Sequence, residues 1–252
     1  MTDAPTELVH FGVVDGVATI TLDSPHNRNA LSRQLLTELF DALDRAEEDQ
    51  DARVVLIRSA DRVFCSGADL SEAAGGGMDE GTKALVALQR RLVTHDRPVV
   101  TRLAGPVRAG GLAIVAASDI VVCGDDVTFA FTESRLALAP AVISLTVVPR
   151  LTSRAAAETF LTGRTFDARE AADMGLVTRA VPVEELDDVV TEVCTELKKA
   201  HPQGLRETKA LLARDLLARI DSQAEDMAAL SARLFGSDEA REAMTAFLNR
   251  KK

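Results

Sequence analysis

Between Arg102 and Pro140 the chain reads RLAGPVRAGGLAIVAASDIVVCGDDVTFAFTESRLALAP, and this stretch holds its most chemically suggestive residues. After the Gly105-Pro106 turn, Ala109-Gly110-Gly111 opens an apolar helical run from Leu112 to Ala117. Bare backbone N–H groups at a helix start favour negative charge. Further on, Glu133 follows Phe129, Ala130 and Phe131 and precedes Leu136, Leu138 and Pro140. An apolar setting raises a carboxyl pKa towards the range useful for proton transfer. A carboxylate that moves a proton, beside donors that hold a negative oxygen, suits chemistry that passes through an oxyanion. Each feature also has a plainer explanation. Gly110 and Gly111 could be packing glycines, and Glu133 a surface acid.

Other chemistries find less support. His10, His26, His95 and His201 lack metal-ligand spacing and have no flanking cysteine pair. Ser66 and Ser144 lack the GxSxG elbow of a serine hydrolase. Neither a GxxxxGK[ST] loop nor a strand–GxGxxG–helix is present, so P-loop and Rossmann nucleotide sites are not supported. Cys65 reads as a small buried side chain. Asp119, closing the apolar helix, reads as structural, and Asp125-Asp126 as a turn.

Composition narrows the class. With 252 residues, 46% of them hydrophobic, the chain can bury a sizeable core. The net charge of −10 and the absence of Trp and Tyr argue against nucleic acid as a partner. The three cysteines, Cys65, Cys123 and Cys194, are odd in number and far apart, which suggests reduced thiols in a cytoplasmic setting. The N-terminus has no signal-peptide pattern. The most apolar run is broken at Asp119 and falls short of the roughly 20 residues needed to span a bilayer, so no membrane role is expected.

The elements that must position these groups follow from periodicity. VATITL, after Asp15-Gly16, predicts a hairpin ending at Leu22. Asp23 to Asn29 is a loop by composition, and Ser32 caps a helix carrying Leu35, Leu36, Leu39, Phe40 and Leu43 at helical spacing. Val54–Ile57 predicts a buried parallel strand. A helix is expected over Thr82–Thr94, a strand over Val99–Leu103, and another over Ile120–Cys123. The order is α/β with right-handed crossovers. After Pro140 the pattern turns helical, with a helix from Ser153-Arg154 to Leu161 and a short one from Ala168 to Met174 capped by Asp167. Four more helical periods span Leu186–Lys199, Leu205–Ile220, Gln223–Phe235 and Asp238–Asn249.

Taken together, several ordered motifs resemble the crotonase superfamily, the enoyl-CoA hydratase/isomerase group. They are Asn29-Ala30-Leu31, Phe64-Cys65-Ser66-Gly67-Ala68-Asp69-Leu70, Ala104 to Asp119, Phe129 to Glu133, Leu161-Thr162-Gly163 and Ala171 to Val177. The resemblance runs from about Val17 to Asn249. It implies a spiral core of repeated ββα turns over residues 1–190, in place of an open doubly wound sheet, and a C-terminal helical region over 191–252 that trimerises. It further implies an acyl-CoA thioester substrate, with no separate cofactor and no metal. The backbone N–H groups of Ala68 and Gly110 become the oxyanion hole. Asn27, Arg28, Ala30, Ala68, Asp69 and Leu70, with Gly110, become the CoA-binding set. Arg28 reads equally well as a phosphate contact or as a solvated side chain.

The sequence departs from the hydratase pattern at its acids. A typical hydratase uses two glutamates sharing one water; the second matches Glu133, but the first falls on Ala113. The glycine-rich turn usual after the second glutamate is replaced by Ala139-Pro140-Ala141-Val142-Ile143-Ser144, which leaves less room for water. Ser71 stands where a lysine is common. One carboxylate suffices to carry a proton between two carbons, so Δ3,Δ2-enoyl-CoA isomerisation fits best. Hydration of a 2-enoyl-CoA and a non-catalytic acyl-CoA-binding protein remain as alternatives. The apolar faces of the last helices, with Leu230, Leu234, Phe235, Met244, Phe247 and Leu248, are expected at a homotrimer or dimer-of-trimers interface or folded back on their own chain. The Gly75-Gly76-Gly77 loop and the helix after it are expected to line the acyl pocket.

Overall fold

Asp15 and Gly16 both take positive φ, 47° and 75°, and so turn β1 (Val9–Val14) back on β2 (Val17–Leu22) as an antiparallel hairpin. The computed structural model describes residues 6–69, 72 and 78–249. The Gly75-Gly76-Gly77 loop, Leu70 and Ser71 lie outside the described residues. The chain goes on to lay down β3 (Val54–Ser59), β4 (Val99–Leu103), β5 (Val107–Arg108), β6 (Ile120–Gly124), β7 (Thr128–Ala130), β8 (Thr165–Asp167) and β9 (Arg179–Val181).

These strands form two sheets, one in the order β1-β2-β3-β4-β6-β9 and a smaller one in the order β5-β7-β8. From β2 onward every pairing in the larger sheet is parallel. Its order never reverses, and between β4 and β7 the chain alternates between the sheets. A doubly wound sheet would double back at a switch point. A strand order that only advances, shared between two sheets and joined by helices, is a spiral, as the resemblance implied.

The helices close the turns. Ser32 Oγ accepts the Leu35 N–H at 3.2 Å and starts α1 (Arg33–Glu48), whose Leu35, Leu36, Leu39 and Leu43 are buried against the sheet. α2 (Met78–Thr94) and α3 (Gly111–Ala117) follow; every residue of α3 is buried, which is why its sequence is apolar all round. Next come α4 (Ser144–Val147), α5 (Ser153–Thr162), α6 (Ala168–Asp173) and α7 (Leu186–Lys199). Asp167 and Glu170 form a reciprocal capping box at the start of α6.

One expectation is corrected. Leu205–Ile220 and Gln223–Phe235 are a single helix, α8 (Pro202–Phe235). The boundary expected at Asp221-Ser222 has no Gly or Pro to break the ladder, and Ser222 Oγ donates back to the Ala218 carbonyl inside the helix. A buried lysine fixes α8 to the core. Lys209 Nζ donates to the carbonyls of Leu92 (2.9 Å) and Arg97 (3.1 Å) and pairs with Asp119 Oδ2 at 2.8 Å. Asp119 Oδ2 also accepts the Val99 N–H at 2.7 Å, which gives that residue its structural role. Last, α9 (Asp238–Asn249) folds back within its own chain and packs against the short helical turn Glu133–Leu136. Among the described residues, no helix is long and apolar enough to cross a membrane.

Candidate active site

Three parallel backbone segments deliver the candidate groups to one place. Cys65 bridges Val107 in parallel, and Val107 is paired in parallel with Phe129, so the three residues lie in one row. Three residues beyond Cys65 comes Ala68; three beyond Val107, Gly110; four beyond Phe129, Glu133. Parallel strands end at the same edge, so the register alone brings these positions together. Cross-links hold the row: the Arg108 N–H donates to the Cys65 carbonyl (3.0 Å) and the Ala109 N–H to the Ala130 carbonyl (3.2 Å).

The two donor segments touch. Gly67 has φ of +99°, and a Cβ built on it would lie 3.4 Å from the Gly110 nitrogen. A Cβ on Gly110 would in turn lie 3.5 Å from the Ala68 nitrogen. Among the described residues, neither the Ala68 nor the Gly110 N–H has a protein acceptor. Gly110 is the N-cap of α3, and the preceding Ala109 is forced to φ of +44°, an unfavourable angle for a residue with a Cβ. Apolar walls close in: the Leu31 and Leu85 methyls lie 3.2 and 3.5 Å from the Cβ position of Gly110.

Glu133 begins a 3-10 turn, Glu133–Leu136, separated from β7 by two residues. Its carbonyl accepts the N–H groups of Ala137 and Leu138, and Arg135 Nε ties the turn to the Thr162 carbonyl at the end of α5 (3.0 Å). The segment between β7 and this turn is held by an aromatic cluster, with Phe131 against Phe160 (4.6 Å between centroids) and Phe166 (5.7 Å). The residue as a whole is half-buried, but Oε2 is sealed from solvent with no hydrogen-bond partner among the described residues. Burial pushes the carboxyl up from its ordinary value to about 7. The segment that follows is apolar and packed: Ala141, Val142 and Ile143 are all buried. Ala113 is wholly buried in α3 and brings no second acid.

Of the expected CoA set, Asn27, Arg28, Ala30 and Asp69 join one hydrogen-bond network around the same edge. Asn27 Nδ2 donates to Asp69 Oδ2 (3.1 Å), and Asn27 Oδ1 accepts from the Ala30 N–H (3.3 Å) and Ser24 Oγ (2.7 Å). The Leu31 N–H donates to the Gly67 carbonyl at 2.8 Å and the Ser66 N–H to the Arg28 carbonyl at 3.1 Å. Arg28 is exposed with φ of 60°, and Ala30 is buried. Sequence reasoning gave no role to Asn29, which is the buried pin of this loop. Its Oδ1 accepts the Ser24 N–H (2.6 Å) and its Nδ2 donates to the Val63 carbonyl (2.9 Å), while φ of 52° suits an asparagine. The signal available was an asparagine beside a Pro-His-Asn turn. Leu85 lies on α2, the helix expected to line the acyl pocket, though nothing in the sequence singles it out there.

The arrangement has a base, donors for negative charge and apolar walls. Comparison with known proteins gives the family. The sequence profile described as enoyl-CoA hydratase/isomerase matches residues 12–252. The chain belongs to the enoyl-CoA hydratase/isomerase family. It is therefore an enzyme of that family. A crystal structure of an enoyl-CoA hydratase from Mycobacterium avium is 44% identical, covers 97% of both chains and superposes with a TM-score of 0.92. A Thermus thermophilus protein whose name provisionally assigns it to enoyl-CoA hydratase is 33% identical over 78% of this chain and 80% of its own. The crystal structure of a methylmalonyl-CoA decarboxylase, 21% identical over 98% of this chain and 97% of its own, shares the fold at a TM-score of 0.84. The fold alone thus leaves the reaction open.

Proposed function

We propose that this family member acts on an acyl-CoA thioester and shifts its double bond from the 3- to the 2-position. The route needs one base. The Glu133 carboxylate removes a proton from C2, the bonding pair moves towards the thioester, and the carbonyl oxygen becomes an oxyanion held by the Ala68 and Gly110 N–H groups. The protonated Glu133 returns the proton at C4, leaving a double bond between C2 and C3. No water enters the product, and no metal or separate cofactor takes part. Each backbone donor contributes about 3–4 kcal/mol of transition-state stabilisation by analogy with other oxyanion holes.

The observation that carries this is the setting of Glu133: one oxygen sealed and without a hydrogen-bond partner among the described residues, with alanine at 113. A carboxyl near 7 can both take and give a proton at neutral pH, which a shuttle requires. Hydration needs a nucleophilic water deprotonated and a carbon protonated, which two carboxylates do best. Hydration is the second reading, favoured by the name of the 44%-identical relative. CoA itself is held by the loop of Asn27, Arg28 and Ala30 with Asp69, Leu70 and the Ala68 backbone. The helical region over 191–252 assembles the chain as a homotrimer or dimer of trimers. The buried thiols Cys65, Cys123 and Cys194 suit a reducing cytoplasm.

Glu133→Gln tests the base. Turnover is expected to fall about 10²–10⁴-fold while acyl-CoA affinity by calorimetry holds. Unchanged turnover, or loss of affinity alone, contradicts the role and favours a binding protein or another base.

A further inference from the structure

Cys65 is wholly buried, and burial pushes its thiol up to about 12, so it is no nucleophile. Its position gives it another task. Its backbone lies in the row with Val107 and Phe129, three residues before Ala68. Its side chain presses on the first residue of α3: a Cβ on Gly111 would lie 2.7 Å from Cys65 Cβ, 3.0 Å from Sγ and 3.1 Å from the Val107 methyl. On its other side the backbone N–H of Gly67, on the peptide next to Ala68, faces the thiol and draws its pKa part of the way back down. One small side chain therefore touches both donor-bearing segments. It also explains why the second glycine of Gly110-Gly111 is there, since α3 begins at van der Waals distance from Cys65.

We infer that Cys65 is a positioning residue for the donor pair, its side chain setting the spacing between the Ala68 and Gly110 N–H groups. Oxygen held by two fixed donors gains only if both aim at the same point, so a shift of a few tenths of an ångström in α3 weakens catalysis more than binding. The inference rests on the proposed role of Ala68 and Gly110 as oxyanion donors.

The test combines kinetics with isotope-edited infrared spectra of a bound 2-enoyl-CoA labelled at its thioester carbonyl. Polarisation by the donors moves that carbonyl band to lower frequency. Cys65→Ala is expected to lose much of the band shift and to lower kcat about tenfold or more, with KM within about threefold. Cys65→Ser, which keeps a side chain of nearly the same size, should recover part of both. Gly111→Ala should weaken the shift through the crowding at Cys65, and Cys65→Gly combined with Gly111→Ala should restore more than independent effects allow. A Cys65→Ala enzyme that keeps the band shift and kcat, with only a lower melting temperature, overturns the inference and leaves Cys65 as core packing. Independent effects in the paired variant likewise count against it. A wild-type complex with no band shift refutes the donor role itself, and the inference with it.

Discussion

Glu133 stands apart from the acids on the surface because one of its oxygens is sealed, with no hydrogen-bond partner among the described residues. That isolation costs free energy when the group is charged, and the cost appears as a carboxyl raised from 4.5 to about 7. Two consequences follow for pH. In the proposed isomerisation the ionised form is the base, so the rate should fall tenfold per pH unit below about 7, a limb that the steady-state profile reads directly. The folded protein also holds this proton more tightly than the unfolded chain does. Stability from this group is therefore full below about 4.5 and is lost as pH rises to about 7. Relative to wild type, Glu133→Gln should gain stability across that window, by on the order of 3 kcal/mol, measured by urea unfolding at several pH values. A difference that stays flat with pH would mean the carboxyl is not strained. The sequence made Glu133 legible through its apolar neighbours. It could not show that Oε2 lacks a partner, because that depends on which side chains the fold brings near.

Elements, more than side chains, build the rest of the site. Ala68 and Gly110 contribute only backbone, and their meeting depends on the row Cys65, Val107, Phe129 and on the Asn27–Leu31 loop tied to residues 63–69. The motifs naming these segments could be read from the sequence; the cross-links could not, since each joins residues far apart in the chain. Asn29 shows the gap. It looked like one more polar loop residue, yet it is buried with two hydrogen bonds that fasten the loop to Ser24 and Val63. Asn29→Ala leaves both backbone partners unpaired. It should lower stability by about 1–3 kcal/mol in denaturant unfolding and raise KM for the CoA ester more than it lowers kcat. Unchanged stability and KM would remove the loop from the binding account.

At the scale of the whole molecule, the strand periods and turn residues were enough to give α/β order and the parallel pairing of β2 with β3. The spiral was another matter. Periodicity does not say to which sheet a two-residue strand such as Val107–Arg108 belongs, so the resemblance had to supply the winding. Helix α8 reads in the sequence as two helical periods, and the buried Lys209 that fixes it through Asp119 has no local signature. The outer surface of that helix bears on assembly. Leu211 and Leu212 are 61% and 78% exposed, an apolar patch that a trimer would cover. Light scattering should give about three or six times the 27.0 kDa chain mass. A stable single-chain mass contradicts the proposed trimer.

The central claim is that one carboxylate and two backbone donors move a proton within an acyl-CoA without adding water. The most direct measurement is to give the purified enzyme paired 3-enoyl- and 2-enoyl-CoA esters in deuterated water and resolve the products by mass. Interconversion of the two esters, deuterium at carbon, no gain of water, and loss of the activity in Glu133→Gln are expected. A product heavier by one water, formed from the 2-enoyl ester at a comparable rate, would contradict it and make this family member a hydratase that works without a second glutamate.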